Sequence, residues 1–514
     1  MADSRIVEII LEPEKAGSAE EIRIHALKKA GLEQGEVRVL RRSIDARSRH
    51  PRYSLRVAVG DELEKNLSQL EHFKPLPLSG RQVIIVGAGP GGYFAALKLL
   101  EQGIQPLILE RGKDVNARRK DIKSIYTDGL IDPHSNYCFG EGGAGTYSDG
   151  KLYTRSDKRG NVGRVLDILV DHGASPDIKI DAHPHVGSNV LPRVVQKLRE
   201  SIVNAGGLIR FGAHVDDLNI EGGRIRAVRI NGEEWIHGDS VILATGHSAR
   251  DIYRMLVAKN IAVEAKAFAL GVRIEHPQDT IDSIFYKQSP RNPLLPPAEY
   301  RINCQVDGRG VYSFCMCPGG FVVPASTAPG ELVLNGMSMA GRGAPFANAG
   351  LVVEMRLEDM GDPCDPLVAL HFQETVEQAM FNAGSGENQS APAQQVDDFI
   401  HGRLSPAIEK SSYVPGLFSA PLNELLPRSV VDRLQKALVI FGQKYKGYDS
   451  RFAKIMAVES RTSSPVRIIR DPETLMHPQV QGLFPCGEGA GYAGGIVSAA
   501  MDGERVAMAA VKNS

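Results

Sequence analysis

At 514 residues the chain is long enough for two or three domains with full cores, and its 42% hydrophobic and 24% charged residues are those of a globular protein. A formal net charge of −1 excludes a global field that would draw it to nucleic acid or a membrane surface. No apolar run approaches the ~20 residues of a membrane span, MADSRIVEII lacks a secretory pattern, and six cysteines make no disulfide framework, so a soluble cytoplasmic protein is expected.

Residues 1–77 read as a small α+β unit. RIVEIIL (5–11) has strand composition, and SAEEIRIHALKKAGL (18–32) has helical spacing, with Ser18 as N-cap and Glu21 completing a capping box. GEVRVLRRSIDAR and RYSLRVAV alternate as two further strands, and DELEKNLSQLEHF carries a second helical pattern. KPLPLSG (74–80) is a Pro-punctuated linker. The basic stretch RRSIDARSRHPR (41–52) fits a solvated strand face better than an RNA contact, because acidic runs elsewhere balance it.

Over 78–264 the rhythm becomes strand, glycine turn, helix, strand: RQVIIV, GAGPGG, YFAALKLLEQG, QPLILE. The helical VLPRVVQKLRESIVNAGG (190–207) leads to the strand LIRFGAHV, a three-stranded meander over 216–239, and the strand SVILATG (240–246). Residues 265–450 break this rhythm and read as an inserted α+β substrate or cap domain, with strand-like FALGVRIEH and ELVLNGM. Residues 451–514 return to the first unit through LFPCG and the helix GIVSAAMDGERVAMAAV.

Gly87, Gly89 and Gly92, with Pro90 and Gly91 between them, fit G-x-G-x-x-G between an apolar strand and a helix start. That spacing lets backbone N–H groups reach a pyrophosphate at the positive helix end. Glu110 ends the next strand, where its carboxylate can accept from both ribose hydroxyls of an adenosine, with Arg111 beside it. An acid there argues against a 2′-phosphate. A meander after the crossover, closed by a strand ending Ala244-Thr245-Gly246, resembles the Rossmann-like FAD-binding fold of the glutathione-reductase and p-hydroxybenzoate-hydroxylase superfamily. That resemblance implies adenine contact at Val215 and places Arg118 near the cofactor.

Four middle motifs carry further candidates. CFGEGGAGTYSDGKLYT (138–154) is glycine-rich, and its Gly142, Gly143, Thr146 and Asp149 suit cofactor or substrate contact. Cys315 and Cys317 in SFCMCPGG would point the same way in a strand; a redox dithiol competes there with plain packing, and a metal would need ligands that are not evident nearby. His183, in DAHPHVGS, is a candidate acid or base, and Arg461, in VESRTSSPVRI, a candidate for an anionic group. At the C-terminal end, Gly487-Glu488 closes a strand and Gly494-Gly495-Ile496 opens a helix, without pyrophosphate spacing or a βαβ unit of its own. This is the second half of one nucleotide site. The superfamily resemblance implies that its acid binds the ribityl or pyrophosphate region and that the helix N-terminus meets the flavin pyrimidine edge.

Together RRSIDAR, VGAGPGG, GEGGAGTYSDGKL, FCMCPGG, NGMS, ESRTSSPVRI and GEGAGYAGGIVSAAMDG resemble a bacterial family of uncharacterised FAD-dependent dehydrogenases (NAD(P)/FAD-dependent oxidoreductases) across nearly the whole chain. Where such relatives read HIGTD this chain has HVGSN (185–189). The resemblance implies bound FAD, redox chemistry and a small-molecule substrate that it does not name. No second G-x-G-x-x-G follows a strand, so a nicotinamide donor would dock transiently. Two rivals stand beside this reading: a flavin-dependent RNA-modifying enzyme, and an FAD-bound scaffold or sensor.

Overall fold

Gln82–Val86 is apolar on both faces and buried in four of its five positions, as a central parallel strand requires. In the computed structural model, which describes residues 4–61, 63, 73–154, 160–384, 386 and 388–513, this strand sits third in a five-stranded parallel sheet. The order is Leu483–Pro485, Ser240–Leu243, Gln82–Val86, Gln105–Glu110 and Leu208–Phe211. The chain runs outward to one edge, then returns to the other side of Gln82–Val86. The order therefore reverses beside that strand, and a crevice opens past the carboxyl ends of Gln82–Val86 and Ser240–Leu243.

The helices Pro90–Leu100 and Ile496–Asn513 pack on each other although four hundred residues separate them. A side chain at Gly503 would stand 2.1 Å from the Gly91 carbonyl, so the helices cross backbone to backbone. Tyr93, Leu97, Val497 and Met501 fill the same core around the crossing. The meander forms as expected from Val215–Glu221, Arg224–Ile230 and Glu234–His237.

At the N-terminus, Arg52–Gly60 pairs antiparallel with both Arg5–Leu11 and Glu36–Asp45, and the helix Ala19–Ala30 covers the sheet. Ser18 caps that helix by accepting from the Glu21 N–H at 3.3 Å. The second helical pattern, over 61–73, lies largely outside the described residues. Arg42 ties this unit to Asp181 at 2.7 Å, and the Tyr53 hydroxyl donates to the Leu294 carbonyl at 3.0 Å.

The inserted region forms a mostly antiparallel seven-stranded sheet in the order Asn303–Val306, Arg309–Cys317, Phe346–Glu354, Ala269–Pro277, Lys454–Glu459, Ala391–Gln395 and Leu417–Ser419. Lys454–Glu459 lies past the boundary expected at 450, yet it is fully buried inside this sheet between Ala269–Pro277 and Ala391–Gln395. The chain crosses back to the first unit one step later, over the two-stranded ribbon of Val263–Ala265 with Val466–Ile468.

Candidate cofactor and substrate cavity

The crevice at the strand ends widens into a cavity of about 980 Å³, at the upper end of the ~300–1,000 Å³ usual for small-molecule sites. One wall is largely backbone, from the turn after Gln82–Val86, the loop around Gly143–Gly150, Ala244–Ser248 and the segments Cys486–Glu488 and Gly494–Ile496. The facing wall comes from the inserted sheet and its approach, Tyr300–Gln305 and Tyr312–Met316, with Arg342 and Glu459.

Gly87 has φ of 106°, and a Cβ there would sit 2.4 Å from the Ala244 carbonyl oxygen, so only glycine lets the turn close on the neighbouring strand. Gly494 and Gly495 differ: no protein atom lies within 4 Å of a Cβ built at either, so packing does not demand them. They leave backbone open to the cavity. Pro90 at the first helical position and Gly495 ahead of Ile496–Asn513 aim two helix N-termini, with their unpaired N–H groups and positive dipole ends, at one space.

Three polar groups face that space in unusual states. The Thr245 hydroxyl is buried without a partner among the described residues. The Glu488 carboxyl has no hydrogen bond or ion pair among the described residues, and burial pushes its pKa up to about 7, with Lys266 opposing. Glu110 accepts from the N–H groups of Ala88, Gly112 and Gly140 at 2.8, 2.9 and 2.9 Å. Its carboxylate, expected to serve a ribose alone, therefore also knots three loops, leaving about one of its ~four lone-pair positions for a hydroxyl. A buried hydroxyl and carboxyl without partners, and glycines without a packing role, fit the extended, hydroxyl-rich FAD that the sequence resemblance implies.

Not every expected contact reaches the cavity. Arg118 is fully buried and spends its guanidinium on the carbonyls of Asn136, Tyr137, Glu141 and Gly143, so it braces the glycine loop rather than meeting a ligand. Gly142 and Thr146 lie inside the same loop, with Thr146 donating to Glu141 O at 2.9 Å. A Cβ at Gly92 would stand 2.0 Å from the Gly87 carbonyl, which makes Gly92 a packing glycine behind the turn. Arg111 and Val215 do line the cavity, Arg111 held by Asp251 at 3.0 Å. Asp149 also lines it, but its oxygens are taken by Ser338, Lys151 at 3.1 Å and Arg342 at 3.2 Å. Desolvation would raise its pKa; Lys151 and Arg342 outweigh that and hold it at about 2.

The catalytic candidates change most. Arg461 lines the cavity, yet all five donors are engaged: Glu377 twice, Glu331, Ser248 and Thr327, at 2.7–3.1 Å. With Arg250 it joins the two large units and has no N–H left for a substrate anion. The strand bulges between Phe314 and Cys317 and Cys315 takes φ of 41°, so the regular alternation expected for Cys315 and Cys317 is interrupted. Cys315 opens on the cavity, which lies deep enough for desolvation to push its thiol up to about 11; Cys317 is 1% exposed behind it. His183 lines the cavity with its ring bonded to Glu299. At the departed motif, the Asn189 side-chain oxygen accepts from the Ala340 N–H at 2.8 Å, a backbone task the amide performs without charge.

Several wall residues had escaped attention. His247 follows Ala244-Thr245-Gly246 directly, and burial with Arg461 nearby lowers its pKa to about 4. Glu459 receives a bond from Arg273 at 2.7 Å, while burial raises its pKa. Lys151, Arg301 and Arg342 line the end nearest the inserted sheet. Lys151 lies within a motif already singled out; the others carry no local signal.

Comparison with known proteins adds three family matches: an FAD-binding domain over residues 81–122, a domain described as "FAD-dependent protein, C-terminal domain-like" over 267–462, and a domain of unknown function over 3–60. An uncharacterised protein of Clostridium beijerinckii is 41% identical over 490 residues, 91% of each chain. Protein FixC of Salmonella typhi is 29% identical over 212 residues, 40% of this chain and 46% of FixC, so the match spans about half of that relative. Among solved structures, CtdE in complex with FAD has a TM-score of 0.34 at 12% identity, covering 83% of this chain and 84% of CtdE. A geranylgeranyl bacteriochlorophyll reductase-like protein of Thermoplasma acidophilum has a TM-score of 0.34 at 13% identity, covering 84% and 78%.

Proposed function

The chain belongs to a family of FAD-dependent oxidoreductases, and on that premise we propose that one FAD lies along the glycine-lined wall while the inserted domain presents a small-molecule substrate to it. The observation that carries this reading is the convergence of two helix N-termini, from opposite ends of the chain, on a cavity that also holds the unpaired Glu488 carboxyl. When bound, FAD supplies the electron-transfer chemistry. The turn Gly87–Gly91 would hold its pyrophosphate, Glu110 its adenosine ribose, Val215 its adenine, and Glu488 with Gly494, Gly495 and Ile496 the ribityl and ring end.

The protein's own part is to position, to exclude water and to hold protons. Tyr312, Phe314 and Ile302 close the cavity with apolar surface. His247 is neutral at physiological pH, with Nδ1 against the Ser248 hydroxyl at 2.8 Å, so its ring offers one hydrogen bond to the cavity without adding charge. Glu459, one oxygen fixed by Arg273 and its pKa raised by burial, presents its carboxyl at the wall. A nicotinamide donor would dock transiently.

Purified protein should show the absorption of oxidised flavin, and Glu488→Ala should weaken FAD retention about tenfold, as loss of a carboxylate–hydroxyl bond implies. Anaerobic reduction by NADH, NADPH and organic acids in parallel identifies the reductant. Colourless protein that also fails to take up added FAD would overturn the reading.

A further inference from the structure

We propose that the end of the cavity where Lys151, Arg301 and Arg342 meet binds the carboxylate of a small organic acid whose apolar body lies against Tyr312 and Phe314. This deepens the proposed function and rests on its premise that FAD fills the glycine-lined wall.

Arg301 precedes the strand Asn303–Val306 and is exposed, its guanidinium stacked 4.6 Å from the centre of the Tyr153 ring. It has no carboxylate partner among the described residues, and cation–π stacking leaves its planar edge free to donate a bidentate pair. Lys151 lies 3.1 Å from Asp149 and 3.5 Å from the Cys317 sulfur, two partners for three N–H donors. Desolvation pulls its pKa down, but Cys317 and Asp149 outweigh that and the ammonium stays charged. Arg342 is 7% exposed; it faces Asp149 at 3.2 Å and Glu299 at 3.5 Å, and its Nε is buried without a partner among the described residues.

Charge decides the ligand class. Three permanent or near-permanent cations face two carboxylates, Asp149 and Glu299; of the other carboxylates at this end, Glu459 is balanced by Arg273 and Glu354, beside Tyr312, by Arg356 at 3.9 Å. One positive charge is left over at this end of the cavity. A single carboxylate cancels that excess and supplies acceptors for the free donors of Arg301 and Lys151. A phosphate dianion would overshoot it, and a neutral amide would leave it standing. Tyr312 and Phe314, half-buried on the hairpin beside these groups, offer the surface for an apolar body.

The test titrates benzoate, benzamide and inorganic phosphate into FAD-loaded protein, reading the flavin absorption and the heat of binding. Benzoate should bind at least about tenfold more tightly than benzamide, the usual gain from a charge-assisted pair. Arg301→Gln should remove about that factor for benzoate, leave benzamide unchanged and leave flavin content unaltered; Lys151→Met should act in the same direction. Equal binding of acid and amide, displacement of benzoate by phosphate at lower concentration, no benzoate binding, or wild-type affinity in Arg301→Gln would each overturn the carboxylate site. Failure of the cofactor premise looks different: the protein takes up no FAD, while the calorimetric contrast between benzoate and benzamide still reads the carboxylate site.

Discussion

The glycine-lined wall presents backbone N–H groups at two helix ends, whereas the wall from the inserted sheet presents charged side chains locked in pairs, Arg342 with Glu299 and Glu459 with Arg273. A backbone donor keeps its position as long as the turn keeps its shape, so the first wall depends on conformation and free space. A side-chain donor in a desolvated cavity must be charge-balanced, so the second depends on partners contributed by distant segments. Damage to the two walls should therefore be read out differently.

The largest expected effect is on the paired charges that join the units. Glu377→Gln leaves Arg250 and Arg461 buried beside too little negative charge and should destabilise the fold by about 3–5 kcal/mol in denaturant unfolding. A loss under ~1 kcal/mol would mean that solvent reaches the network. Next comes Gly87→Val, which combines a positive φ with a Cβ 2.4 Å from Ala244 O; about 3 kcal/mol and loss of bound FAD are expected.

Glu488 gives a pH-dependent effect of intermediate size. Its pKa of about 7 in the fold, against 4.5 unfolded, means that the folded flavin-free protein binds the proton more tightly. The stability this contributes is fully present below about pH 4.5, declines as pH rises, and is lost through pH 7. Glu488→Gln lacks this dependence, so thermal unfolding should find the variant gaining on the wild-type protein between pH 4.5 and 7. A flat difference across that window would place the carboxyl in water. The smallest stability change is expected for Gly494→Ala, whose Cβ meets nothing within 4 Å: within about 0.5 kcal/mol, yet with reduced FAD occupancy. Undiminished occupancy would break the contrast between the walls.

The parts that depend on neighbours in sequence were legible. Gly87, Gly89 and Gly92 follow an apolar strand, and the meander is flanked by Gly-Gly and Asn-Gly, so local pattern carried both into the structure. Arg118 was misjudged because its role depends on carbonyls eighteen to twenty-five positions away, which the loop wraps around it. For the cysteine pair only the alternation failed, because it assumes a regular strand and the bulge interrupts it, while Cys317 is buried as packing requires. Arg301 and Arg342 carried no signal at all. Their meaning lies in Tyr153, Asp149 and Glu299, each from another part of the chain.

By itself the sequence determined a glycine turn between an apolar strand and a helix, an acid that ends the second strand, and a separate block of chain that interrupts the FAD-binding unit. Strand periodicity, turn chemistry and glycine spacing are local properties, and local energetics suffice for them. Only the tertiary structure decided that Gly91 and Gly503 meet, that Lys454–Glu459 belongs to the inserted sheet, and that Arg461 is consumed by carboxylates. Those outcomes turn on desolvation and charge balance among residues brought together from across the chain, and such sums exist only once the chain has folded.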